Sequence, residues 1–252
     1  NSLKYIISII LILFQFKVYA QEEFIFESNT LEFLNSSNLI KAKNGVKIND
    51  NNGIEITADE STYNKINKFL EIENNINFID KVNKIKLESE KITFDKKSNE
   101  IKSNSITKII FDNIYTFEGK NITYLKNEMI VFSNEKTLIK DNFDNLLETD
   151  GFLYDLLKKN LKTKKLKFFD KNKNEYKSEN SIINLKNKKI AAKDIQIYFG
   201  KGELGDNARI KGSSLIKENK TSIISNAIFT TCKINDNCPP WVLKSKKITH
   251  DE

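Results

Sequence analysis

Leu87-Glu88-Ser89-Glu90-Lys91-Ile92-Thr93-Phe94-Asp95 decides the fold, because Leu243-Lys244-Ser245-Lys246-Lys247-Ile248-Thr249-His250-Asp251 repeats it far down the chain. Outward from Phe94, the same slot holds Phe33, Tyr63, Tyr124 and Tyr154, at spacings of 30, 31, 30 and 30 residues. A sixth copy, Ser181-Ile182-Ile183-Asn184, arrives 29 residues later with Ile in the aromatic slot. A fixed period of about 30 residues marks a stacked architecture in which one unit cannot bury its apolar face alone. Only the stretch from Ala208 to Asn219 resists alignment with the rest.

Within each unit the period is two. Ile54, Ile56 and Ala58 alternate with Glu55 and Thr57, and Leu70, Ile72, Ile76 and Phe78 share one parity against Glu71, Glu73 and Asn77. Successive side chains of a strand point to opposite faces, so each strand has one apolar and one polar face. Asn44-Gly45-Val46, Asn74-Asn75-Ile76 and Asn104-Ser105-Ile106 recur at 30-residue steps and read as polar turns. Asn49-Asp50-Asn51-Asn52-Gly53 and Lys171-Asn172-Lys173-Asn174 read as turns as well. Phe143 to Leu161 has a helical look, but its register within the repeat assigns it to strands. The expected fold is all-β: an elongated, twisted antiparallel β-jelly roll, a solenoid-like stack of repeats rolled until its apolar faces meet.

Lys4 precedes the apolar run Tyr5 to Phe14, and Val18-Tyr19-Ala20 supplies small residues at a cleavage position. That order predicts a signal peptide over residues 1–20, cut after Ala20, and therefore export. The formal charge is +7, with Lys spread along the chain among Asn and Glu, where a nucleic-acid reader needs a focused basic face. Cys232 and Cys238 are disulfide material in an exported chain. His250 is the sole histidine, so neither a metal set nor a triad can be assembled around it, and no catalytic residue, metal or cofactor is assigned. Gly200-Lys201-Gly202-Glu203-Leu204-Gly205 lacks the Lys-Ser/Thr of a phosphate loop and reads as a hairpin turn.

Phe26 to Phe33 followed by Ile40 to Ile48, and Ala58-Asp59-Glu60-Ser61-Thr62-Tyr63, resemble the recurring pattern of OstA-type domains. Thr230-Thr231-Cys232, with Pro239-Pro240-Trp241 and the run to His250-Asp251, resembles the junction of the LptD family, where a periplasmic domain passes into an outer-membrane barrel. The resemblance implies an OstA-like domain over 21–229 and a Cys-containing junction over 230–252 that carries Trp241, His250 and Asp251. It implies a fragment cut before a barrel, at the periplasmic face of the outer membrane. Its implied partners are lipopolysaccharide, an LptA-type bridge joined by edge-strand pairing, and an LptE-like lipoprotein acting through the barrel. In that family such cysteines bond to cysteines of the barrel. For Cys232 and Cys238 that pairing and a local bridge between the two both stay open.

On the expected inner face, Ile54, Ile56, Leu70, Ile72, Ile76, Phe78, Leu87, Ile92, Phe94 and Tyr124 are the candidates for contact with acyl chains. The same residues equally suit a packed core. A stand-alone bridge of the LptA or LptC kind, and a β-solenoid adhesin, are the rival functions.

Overall fold

Ile54, Ile56 and Ala58 pack inward while Glu55 and Thr57 stay wetted, and the same alternation runs through β2, β4 and β5. The computed structural model describes residues 24–143, 145–169, 173–200, 207–218, 221–233 and 241–251, with the backbone alone for His250 and Asp251. The expected signal peptide and Cys238 lie outside them. Five long strands open the fold: β1 (Ile25–Leu34), β2 (Leu39–Asn49), β3 (Ile54–Asn64), β4 (Phe69–Asp80) and β5 (Ile85–Asp95). Eight short ones follow: β6 (Glu100–Ser103), β7 (Thr107–Phe111), β8 (Tyr115–Gly119), β9 (Thr123–Leu125), β10 (Ile130–Ser133), β11 (Thr137–Lys140), β12 (Leu146–Thr149) and β13 (Gly151–Asp155). Long strands return as β14 (Asn160–Phe169), β15 (Glu175–Asn184), β16 (Lys189–Tyr198), β17 (Arg209–Glu218), β18 (Thr221–Thr230) and β19 (Leu243–Asp251). The described residues contain no helix, and between Phe143 and Leu161 they form β12, β13 and the start of β14, in line with the register of the repeat.

The long strands of the first units are bent at their middle. In β2 the pairing slips between Lys43 and Val46, where Asn44 (φ 62) and Gly45 (φ 87) are left-handed; Gly accepts such a φ without steric cost. In β4 Asn74 and Asn75 make the same bend. In the central units the bend becomes a complete break: β5 pairs with β6 through Ile92 to Asp95 and with β7 through Ile85 to Ser89. The polar triplets that read as turns are therefore corners within strands. At these corners the two halves approach closely. A Cβ on Gly119 would stand 2.7 Å from Thr137 Oγ1 and 3.2 Å from the Lys136 carbonyl. Small hydroxyls fill the corner, with Ser89 Oγ 2.8 Å from Thr107 Oγ1.

The result is one antiparallel sheet folded along its midline into two facing half-sheets, here sheet I and sheet II. Sheet I carries the aromatic slot. Cross-strand neighbours run Phe33, Ile40, Tyr63, Leu70, Phe94, Ile101, Tyr124, Val131, Tyr154, Leu161, Ile183 and Ile190 in one unbroken column. The column then turns polar through Lys217, Ser222 and His250. Lys217 is the missing repeat position: a charge replaces the aromatic, so the period vanished from the sequence between Ala208 and Asn219. Sheet II has its own column, from Phe26, Ile48, Ile56, Phe78, Leu87, Ile109 and Phe117 to Phe229 and Leu243.

An Asn or Asp follows the slot in most units, and the structure gives the reason. Asn64 Oδ1 accepts the backbone N–H groups of Ile66 and Asn67, both at 3.0 Å. Asp155 does the same for Leu157 and Lys158, and Asn184 for Lys186 and Asn187. Such side chains close the turn on their own backbone. In five units, including the one where Leu125 follows the slot, the turn ends on a left-handed residue five positions after the slot: Lys68, Asn99, Met129, Lys159 and Lys188.

Candidate functional site

The interior between the half-sheets is where the candidate side chains meet. Leu70, Ile72, Ile92, Phe94 and Tyr124 project from sheet I, and Ile54, Ile56, Ile76, Phe78 and Leu87 from sheet II. All ten are buried in one cluster, and Phe78 meets Phe94 across the interior, edge to face, with centroids 6.3 Å apart. Phe111, Phe117, Phe152 and Tyr154 continue the aromatic packing, each contact 4.9 to 5.7 Å between centroids. Burial raises the phenol pKa of Tyr124, helped by the charge of Asp80; burial likewise raises that of Tyr154, helped by Asp112. Anything that enters this space must part the two half-sheets.

The fold line closes one side of the interior. On the other side the hairpins of the two half-sheets form rims that touch, and sequence reasoning missed what joins them. Lys96, in the sheet I turn after β5, reaches Asp50, in the sheet II turn after β2, at 2.5 Å. Their side chains are 12% and 1% exposed, so this pair is enclosed rather than wetted. Phe24 and Phe94 flank the Lys96 ammonium at 5.1 and 5.3 Å. Two hairpins on, Lys126 stands 3.2 Å from Asp80, with side chains 16% and 0% exposed. Asp80 also accepts from the Tyr124 hydroxyl at 3.1 Å and from Asn83 Nδ2 at 2.8 Å. Lys126 Nζ is buried without hydrogen-bond alignment to any partner, so proximity alone joins it to Asp80. A third pair, Lys159 with Asp112 at 2.7 Å, repeats the arrangement. Further along, Lys188 lies over the Phe143 ring at 5.7 Å, and the Tyr115 hydroxyl donates to the Leu185 carbonyl at 3.2 Å. The sequence separations of 46 and 47 residues do not match the 30-residue period, which hid the pairs. The signal available was the return of Asp at 50, 80, 112 and 141, always where a sheet II strand ends.

The junction residues gather at the far edge. Cys232 is buried and has no disulfide partner among the described residues; its Sγ lies 3.7 Å from the Trp241 carbonyl, and Thr230 Oγ1 donates to the same carbonyl at 2.9 Å. The Trp241 ring packs on Phe229 at 6.0 Å and remains 45% exposed. Trp241 stands two residues before β19 and flanks its start. His250 and Asp251 lie in β19 opposite Ser222 and Thr221. Of the glycine-rich stretch, Gly200 is described, its N–H bonded to Asn174 Oδ1. Among the described residues no three His, Cys, Asp or Glu side chains gather as a metal site. Glu73, on the polar parity of β4, pairs with Lys91 on the outer face.

No family model and no curated protein matches the chain. Among solved structures it is similar to LptH from Pseudomonas aeruginosa, the LptA-homologous periplasmic component of the lipopolysaccharide transport device. The identity is 10%, over 53% of this chain and 76% of that chain, with a TM-score of 0.24.

Proposed function

We propose that the chain carries lipopolysaccharide across the periplasm, taking it from an LptA-type bridge and passing it to an outer-membrane barrel, as the periplasmic domain of an LptD-like translocon. One observation carries this reading: the folded sheet encloses apolar columns that run from β1 towards β19, and among the described residues both of these strands are edges. Among the described residues β1 pairs only with β2, and β19 only with β18. An edge strand offers unpaired N–H and C=O groups to another chain. β1 also exposes Ile25, Leu31, Phe33 and Leu34, side chains that a partner's folded sheet would cover. An acyl chain taken from water gains about 0.8 kcal/mol per buried CH₂, so a dozen methylenes supply about 10 kcal/mol towards parting the half-sheets. The resemblance of the Cys232 to Asp251 segment to the LptD junction supports the barrel as recipient.

A photo-crosslinking amino acid at Phe78 or Phe94, expressed in cells, tests the reading. Lipopolysaccharide adducts are expected at both positions. No adduct at either would leave a packed core and favour the adhesin. The open edge at β19 equally suits a stand-alone bridge that stacks end to end. The gene sequence beyond codon 252 separates the two, since an immediate stop codon would select the bridge.

A further inference from the structure

We propose that Lys96, Lys126 and Lys159 form a row of anionic-headgroup sites along the touching rims, with Asp50, Asp80 and Asp112 holding those sites while no lipid is bound. The proposal rests on the lipid-carrying reading above. It adds the chemical class of the ligand, an amphiphile with phosphate or carboxylate on its headgroup, and the residues that select it.

The three pairs share a design. In each, the ammonium belongs to a sheet I turn and the carboxylate to a sheet II strand end or turn, so every pair spans the gap that acyl chains must cross. Parting the rims far enough for a chain about 4 to 5 Å thick breaks all three pairs, since each spans 3.2 Å or less. A lysine left enclosed without an anion is costly. A phosphate at the rim removes that cost, because charge-assisted hydrogen bonds to an ammonium replace the lost carboxylate. Chains between the half-sheets and anionic groups on the rim lysines are thus one binding event. A neutral amphiphile of the same chain length would open the rims and leave the lysines bare.

Lys126 is the position most ready for exchange. Its Nζ is buried yet has no aligned hydrogen bond, and Asp80 is already served by Tyr124 and Asn83. Asp80 therefore loses least when Lys126 turns to a ligand. Lys96 is the most enclosed of the three, gripped between Phe24 and Phe94 at the β1 end. Lys159 is the most open, both side chains of its pair being one-third exposed.

The test uses the full chain carrying the photo-crosslinker at Phe78, with bis-phosphorylated lipid A and its dephosphorylated form as the two probes. Unaltered lysines should favour the phosphorylated probe by about tenfold or more in half-saturating concentration. Lys126→Gln and Lys159→Gln together should bring the two probes within about twofold, chiefly by weakening the phosphorylated one. Lys126→Arg with Lys159→Arg keeps the charge and should keep the preference, and this variant separates loss of charge from loss of folding. Asp80→Asn should tighten the phosphorylated probe, its competitor for Lys126 being neutralised. If both probes crosslink but the preference survives the Gln variants, the headgroup sites are refuted and the lipid-carrying reading stands. If neither probe crosslinks at Phe78 in the chain whose lysines are unaltered, both fall together.

Discussion

Asp80→Asn isolates the energetic worth of the rim contacts without altering the apolar interior. Asp80 is fully enclosed and is held by four groups: the Asn83 backbone N–H at 3.0 Å, Asn83 Nδ2 at 2.8 Å, the Tyr124 hydroxyl at 3.1 Å and Lys126 Nζ at 3.2 Å. Asn keeps the shape and one acceptor oxygen. The charge on which Lys126 depends is lost, along with the charge assistance to the other bonds. Removing one partner of an enclosed pair costs about 3 to 5 kcal/mol, and the 16% exposure of Lys126, which lets it turn towards water, places this case near 3 kcal/mol. For a chain of this size that lowers the melting temperature by roughly 6 to 12 °C. The assay is thermal and urea unfolding followed by circular dichroism, on Asp80→Asn, Lys126→Met and the double variant. The double variant should recover more than half of the loss, because two neutral side chains leave no stranded charge. A loss under about 0.5 kcal/mol, or additive single effects, would refute an energetic coupling across the rims.

Two further outcomes follow from burial. Tyr124 and Tyr154 have phenol pKa values raised by burial above an unfolded value of about 10, so the folded state retains their protons more firmly. Their contribution to stability is complete below about pH 10 and falls as pH rises beyond it, by about 1.4 kcal/mol per pH unit for each tyrosine. Urea midpoints from pH 9 to 11.5 should fall less steeply in the Tyr124→Phe, Tyr154→Phe double variant, and an unchanged slope would contradict the assignment. Phe94→Ala should cost about 3 to 5 kcal/mol in a urea titration, while Phe33→Ala, in the same column but 58% exposed on β1, should cost under about 1 kcal/mol. Equal losses would mean that the repeat position, and not enclosure, sets the energy.

The strands were legible because one signal served two purposes. The aromatic slot marks both the inward column and, through the Asn or Asp after it, the turn that follows. Even the final unit was found, since His250 keeps the register although it is neither Phe nor Tyr. Lys217 broke that signal by placing a charge in the column where the interior becomes polar. The corners were misread as turns because Asn44-Gly45 and Asn74-Asn75 have the left-handed preference that both uses require; the deciding fact, continued pairing on either side of the bend, is long-range. The ten interior candidates all lie in the buried cluster between the half-sheets, several of them on the face that period-two alternation assigns. That they divide five and five between two facing half-sheets depends on the fold line, which no local pattern announces. The rim pairs were hidden for a related reason, since their partners lie on different half-sheets and several strands apart.

Strand follows neighbouring strand almost throughout the sheet, and this makes length an independent variable. Each 30-residue hairpin adds two strands at about 4.8 Å spacing, or roughly 10 Å along the axis. Duplicating or deleting one hairpin would change the reach of the molecule by that increment and leave its cross-section untouched. The rim pairs set the rule for such edits. Each lysine finds its aspartate three turns back, so a whole hairpin can be gained or lost wherever the lysine and aspartate steps shift together. Half a hairpin would put lysine opposite lysine. A distance between two membranes could thus be matched by gene duplication in steps of about 10 Å, with the cross-section already solved.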